Sequence, residues 1–109
     1  MKHGVNDTMI GEVSGLFGAL GDQSRLRILR SLLDGKKPMN QGAVAEAAEL
    51  SQANASKHLA CLVRVGLVTR EQEGNTVYFA PVLPLVSQLC DLVCGHVTEK
   101  VKASYKALK

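Results

Sequence analysis

A chain of 109 residues with 46% hydrophobic, 21% charged and 4% aromatic content supplies one modest core, so residues 1–109 are expected to form one domain and not two. The formal net charge of +3 suits a polyanionic partner but is too small to require one. No apolar run is long enough to span a bilayer, Met1-Lys-His-Gly-Val-Asn-Asp7 lacks the apolar stretch of a secretion signal, and three cysteines are an odd number for a disulfide framework; the expectation is a cytoplasmic protein with reduced thiols and no membrane partner.

Ile10, Val13, Leu16, Phe17 and Leu20 recur at helical spacing and predict an amphipathic helix over about 7–20. Asp22 or Ser24 can cap a second helix in which Leu26, Leu29, Leu32 and Leu33 face inward and Gly35 is the stop. Arg25, Arg27, Arg30, Lys36 and Lys37 make the outer side and exit of that helix basic. Asn40 can cap a short Ala-rich helix to about Ala48, and Glu49-Leu50 is a tight link into the next element, which is helix-turn-helix spacing.

Ser51 opens a helix over about 51–65 in which Leu59, Leu62 and Val63 form the inward stripe and Gly66 is the end. Gln52, Asn54, Ser56, Lys57 and His58 are left on its first two turns, mostly facing away from the core. Those residue types fit a DNA groove: Gln and Asn pair with an adenine edge, Ser and Lys bind phosphate or guanine acceptors, and the helix N-terminus attracts phosphate. An ordinary solvated helix shows the same polarity, so the next segment carries weight. Leu67-Val-Thr69 and Thr76-Val-Tyr-Phe79 are β-favouring runs around Glu73-Gly-Asn75 and predict a hairpin over about 67–80. Arg70, Gln72, Asn75 and Thr76 lie on or near its tip, placed to lean on the sugar-phosphate backbone or to set Arg70 in a minor groove.

Leu85 or Val86, Leu89, Val93, Val97, Val101 and Leu108 stripe a last helix over about 84–108, with Pro84 in its first turn. Two terminal helices with such stripes exceed what a small interior can cover, so they are expected to pack against a second copy in a two-fold dimer. A dimer also sets two recognition helices in successive major grooves of a near-palindromic duplex.

Three segments together resemble the ArsR/SmtB family of winged-helix repressors over nearly the full length: Leu20-Gly-Asp-Gln-Ser-Arg-Leu-Arg-Ile-Leu29, Leu50-Ser-Gln-Ala-Asn-Ala-Ser-Lys-His-Leu59, and Gly66-Leu-Val-Thr-Arg70 leading to Gly74-Asn-Thr-Val-Tyr-Phe79. The resemblance implies a mainly α winged helix-turn-helix fold of four helices, a β-hairpin wing and a final dimerising helix. It further implies a homodimer on double-stranded operator DNA, released by an inducer. By the same resemblance Gln52, Ala53, Ser56 and Lys57 fall where the family touches DNA, Ala53 standing where a serine is common.

The family's inducer sites are only partly present. The cysteine motif before the recognition helix has no counterpart, since Ala43-Val-Ala-Glu-Ala-Ala48 offers only Glu46. The zinc or nickel site of the last helix is half built: His96 and Glu99 match one ligand pair, while Leu83 and Leu85 stand in the other. The persulfide-sensing pair lacks its second-helix cysteine. Cys61 matches one of two recognition-helix cysteines of cadmium and lead sensors, with Val65 at the second position. Cys90 and Cys94, four apart, share one helix face and can clamp a soft ion. A dimer would supply Cd(II), Pb(II), As(III) or Zn(II) with thiolates from Cys90, Cys94 and Cys61.

Four alternatives stand beside the metal reading: redox or reactive-sulfur sensing by the same cysteines, cysteines that merely fill the core, a repressor without a metal site, and a winged-helix module for another protein or RNA. An enzyme is not expected, because Cys94 and His96, two apart on a helix, point about 200° from one another and cannot pair.

Overall fold

The structure, a computed structural model, describes residues 6–107, so Leu108 of the predicted last stripe lies outside the described residues. Its helices are α1 (Asp7–Leu20), α2 (Gln23–Gly35), α3 (Gln41–Ala48), α4 (Gln52–Arg64) and α5 (Leu85–Ala107). Strands β1 (Met39–Asn40), β2 (Val68–Glu73) and β3 (Thr76–Pro81) form an antiparallel sheet in the order β1-β3-β2.

Local chemistry explains where the helices start. Asn6, Asp22, Asn40 and Ser51 each accept a hydrogen bond from the backbone N–H three residues on, at 3.0, 3.1, 2.8 and 3.1 Å, which satisfies one orphan donor of the first turn. Asp22, and not Ser24, is thus the cap of α2. Helix ends depart further from expectation. Gly35 is the last helical residue, and Lys36 takes the left-handed conformation (φ 58°) in its place. Glu49 does the same at the end of α3 (φ 58°) and sends its N–H back to the Ala45 and Glu46 carbonyls. Both are non-glycine residues in a region that favours glycine, held there because the chain must turn sharply into the next element. Gly66 (φ 85°) follows α4 as expected, and Gly74 (φ 62°) starts the two-residue hairpin turn between Glu73 and Thr76.

The core is built from Ile28, Leu29 and Leu32 of α2, Val44 and Ala48 of α3, Leu59 and Leu62 of α4, Leu67, Val68 and Phe79 around the sheet, and Val86 of α5. Leu26, expected inside, is 48% exposed; α2 turns Ile28 into the core in its place, and Leu26 lines a groove against α1 and α5. The pairing of Met39 with Phe79 and Asn40 with Tyr78 leaves no mark in the sequence, because a two-residue strand has no periodicity. It ties the start of α3 to the wing.

The terminal helices contribute little to this core. Only Ala19 of α1 and Val86 of α5 are buried, while Phe17 (64% exposed) and Leu92 (74%) stand in solvent with Ile10, Val13, Val93, Val97 and Val101. Between α1, α2 and α5 runs an apolar groove of about 740 Å³ whose walls include Phe17, Leu29, Leu33, Leu89 and Val93.

Candidate nucleic-acid interface

Burial of Ala55, His58, Leu59 and Leu62 fixes the rotation of α4. Gln52, Ala53, Asn54, Ser56 and Lys57 are consequently exposed on its amino-terminal turns. His58 is not on that face, which corrects its assignment as a DNA contact. It is only 8% exposed, and its Nδ1 lies 3.4 Å from Nη1 of Arg25. The reason is helical geometry: His58 follows Ala55 by three residues and precedes Leu62 by four, so it shares their packing side. Arg25 reaches the other way too, donating from Nε to the Ala19 carbonyl at 2.8 Å and from Nη2 to the Gly18 carbonyl at 3.5 Å. One guanidinium therefore joins the end of α1 to α4.

Arg70, Asn75 and Thr76 of the wing meet Ser56 of α4 along a groove of about 770 Å³. Two residues that sequence reasoning did not single out share this groove, Arg64 and Gln41. Arg64 was legible, since Ser56, Ala60 and Arg64 recur every four residues and form one stripe. Gln41 was not, because its position beside α4 is a tertiary contact: Nε2 of Gln41 donates to the backbone carbonyl of Gln52 at 3.3 Å and to its side-chain Oε1 at 3.2 Å. Gln72 is engaged locally, donating to the Gly74 carbonyl at 3.2 Å within the turn. Lys57, Arg64 and Arg70 give this side exposed cations, with Glu71 and Glu73 on the same hairpin. Such a combination of amide, hydroxyl and cationic groups beside a helix N-terminus suits base edges and phosphates.

On α5 the Sγ atoms of Cys90 and Cys94 are 3.3 Å apart, Cys90 half-buried and Cys94 exposed, and both line the apolar groove. The hydrogen bond shared with Cys94 favours the protonated form of Cys90 and pushes its thiol above the ordinary value, helped by burial and by the neighbouring Cys94, Asp91 and Asp34. Cys61 sits elsewhere, half-buried against the core on α4. His96 and Glu99 are exposed on α5, where Glu99 faces Lys102 at 3.9 Å. Among the described residues no three His, Cys, Asp or Glu side chains gather as a metal site within one chain, so Cys61 does not join the Cys90/Cys94 pair there.

A helix-turn-helix domain family model matches residues 20–71. The solved structure of reduced HlyU from Vibrio cholerae is 32% identical and superposes with a TM-score of 0.66, covering 80% of this chain and 90% of that one. This chain belongs to the ArsR/SmtB family. The homodimeric winged helix-turn-helix DNA-binding domain Mb0332 from Mycobacterium bovis, described as a possible ArsR-family transcriptional regulator, is 27% identical with a TM-score of 0.79 over 93% of this chain and 94% of that one. Among sequences, the transcriptional activator HlyU of Vibrio cholerae is 41% identical over 64 residues, 59% of this chain, and a "Probable mercury resistance operon repressor" of Streptomyces lividans is 34% identical over 73 residues, 67% of this chain. The chain spans 57% of the length of each of these two curated relatives. These relatives are named as regulators of transcription and none as an enzyme, in line with the expectation, and no described helix is long and apolar enough to cross a membrane.

Proposed function

We propose that two copies of this chain form a sequence-specific DNA-binding repressor. The amino-terminal face of α4 (Gln52, Ala53, Asn54, Ser56, Lys57) enters the major groove, and Arg70, Asn75 and Thr76 bear on the adjacent backbone. The observation that carries this reading is the groove in which Ser56 and Arg64 of α4 meet Arg70, Asn75 and Thr76 of the wing, beside the exposed first turns of α4. The partner copy is inferred from the apolar faces of α1 and α5, which one chain leaves in solvent. Repression is the direction proposed because a dimer seated over adjacent grooves excludes polymerase; HlyU is named an activator, so a promoter-reporter assay decides the sign.

Release is assigned to the Cys90/Cys94 pair. Two thiolates on one tetrahedral zinc ion, with bonds of about 2.3 Å, lie about 3.8 Å apart, a yardstick for other thiophilic ions. The observed 3.3 Å separation is a small rotamer adjustment away from that. One chain offers two sulfurs here, so a soft ion such as Cd(II), Pb(II) or As(III) would draw its remaining ligands from the partner copy. The mercury-linked name of one relative supports this class of inducer.

The test is anisotropy titration against duplexes from the chain's own upstream region and against random duplex, across salt concentrations, with and without Cd(II) or arsenite. Selective, salt-dependent binding that the ion reverses is expected, with Lys57→Ala weakening all duplexes alike. Equal affinity for all duplexes, or no salt dependence, refutes the DNA reading and favours a protein-binding module. Release that persists in Cys90→Ser/Cys94→Ser refutes the sensor assignment. Release by peroxide or persulfide in place of a metal marks the redox form of the same site.

A further inference from the structure

We propose that Gln41 is a positioning residue that fixes the sense of the Gln52 amide, and so sets which base edge α4 accepts at one operator position. The inference rests on the DNA-binding reading above and deepens it.

Orientation follows from donor and acceptor chemistry. The Gln52 backbone carbonyl only accepts, so the side-chain group of Gln41 that lies 3.3 Å from it must be the –NH₂ and not the oxygen. That same –NH₂ is 3.2 Å from the side-chain amide of Gln52. Were the Gln52 amide reversed, two –NH₂ donors would face each other with no acceptor between them. Oε1 of Gln52 is therefore held toward Gln41. Its Nε2 stands beside Gly42, where a Cβ would lie 3.4 Å away, so the glycine leaves room for it.

A free glutamine on a helix surface presents its amide in either sense, and its three side-chain torsions are ordered only when it meets a base. Fixing the sense in advance turns an ambidextrous group into a one-handed one. Adenine, which offers an acceptor and a donor in a defined order in the major groove, is then distinguished from the pair that offers them reversed. Gln41 itself need touch no base to do this.

The experiment is selection from a randomised duplex library followed by affinity measurement on point-changed duplexes, using the intact dimeric protein. The wild type is expected to show a sharp preference at one position per half-site that Gln52→Ala abolishes. Gln41→Met, which keeps length and loses the donor, should narrow that preference by about threefold to tenfold, the range of one neutral hydrogen bond. It should leave the other positions and the salt slope unchanged, since no charge is altered. In a Gln52→Ala background the same change should do nothing, a coupling that a merely structural role at the start of α3 does not produce. Gln41→Lys, whose ammonium donates to the same two oxygens, should retain the preference while raising affinity for every duplex. A selective wild type with undiminished preference in Gln41→Met, or additive effects of the two substitutions, overturns this proposal alone. A wild type with no selectivity overturns the DNA reading and the proposal with it.

Discussion

Replacing Arg25 with alanine removes a side chain that spans three helices while lying away from the exposed face of α4. Its Nε bond to the Ala19 carbonyl, at 2.8 Å, is a charge-assisted hydrogen bond of ordinary length; the reaches to Gly18 and His58, at 3.5 and 3.4 Å, are long and contribute little. A hydrogen bond from a charged donor is worth about 1.5–3 kcal/mol net, and partial exposure holds this one to the lower half of that range. Arg25→Ala should therefore destabilise the fold by about 2 kcal/mol, a roughly thirtyfold change in the folded-to-unfolded ratio. Arg25→Lys keeps one donor but not the fork, and should recover about half of this loss. The assay is urea unfolding at fixed protein concentration, because the proposed dimer would make the midpoint depend on concentration. DNA binding of the folded variant, measured alongside, should keep its salt slope. A loss under about 0.5 kcal/mol would show that the three-helix link does not hold the fold together. A salt slope reduced by about one would show that Arg25 contacts phosphate instead.

Cys94→Ala should lower the pH at which Cys90 becomes reactive, because the hydrogen bond and neighbouring charge that push its thiol up are removed; iodoacetamide alkylation rates across pH measure this, and an unmoved profile refutes it. The Asp22 carboxyl is held below its ordinary value by the Arg25 backbone N–H first and by the charges of Arg25 and His58 as well. A depressed carboxyl contributes stability that is present above its unfolded value of about 3.9 and is lost as pH falls through the lower folded one. Asp22→Asn, which keeps the cap acceptor, should thus be less stable than wild type near neutral pH and converge with it in acid, as followed by urea midpoints; a gap that persists in acid is the refuting result. Val97→Asp should dissociate the dimer by setting a charge in the apolar stripe of α5, and sedimentation together with DNA affinity should fall in step.

What the residues determined by themselves is local. Asn40 and Ser51 cap helices because a short side-chain oxygen reaches the amide three residues on, whatever else the chain does. The stripes of α1 and α5 and the turn at Gly74 are likewise legible, since periodicity and positive φ are properties of a few consecutive residues. Tertiary packing decided the rest. Spacing from Ala55 and Leu62 puts His58 on the packing side of α4, but the seating of α4 on α2 is what sets it beside Arg25. Lys36 and Glu49 adopt left-handed conformations that no residue preference favours, because the turns into the next elements demand them. Gln41 meets Gln52 across eleven residues of sequence, and Cys61 is kept apart from Cys90 and Cys94, because separations in space are set by how helices pack and not by spacing along the chain.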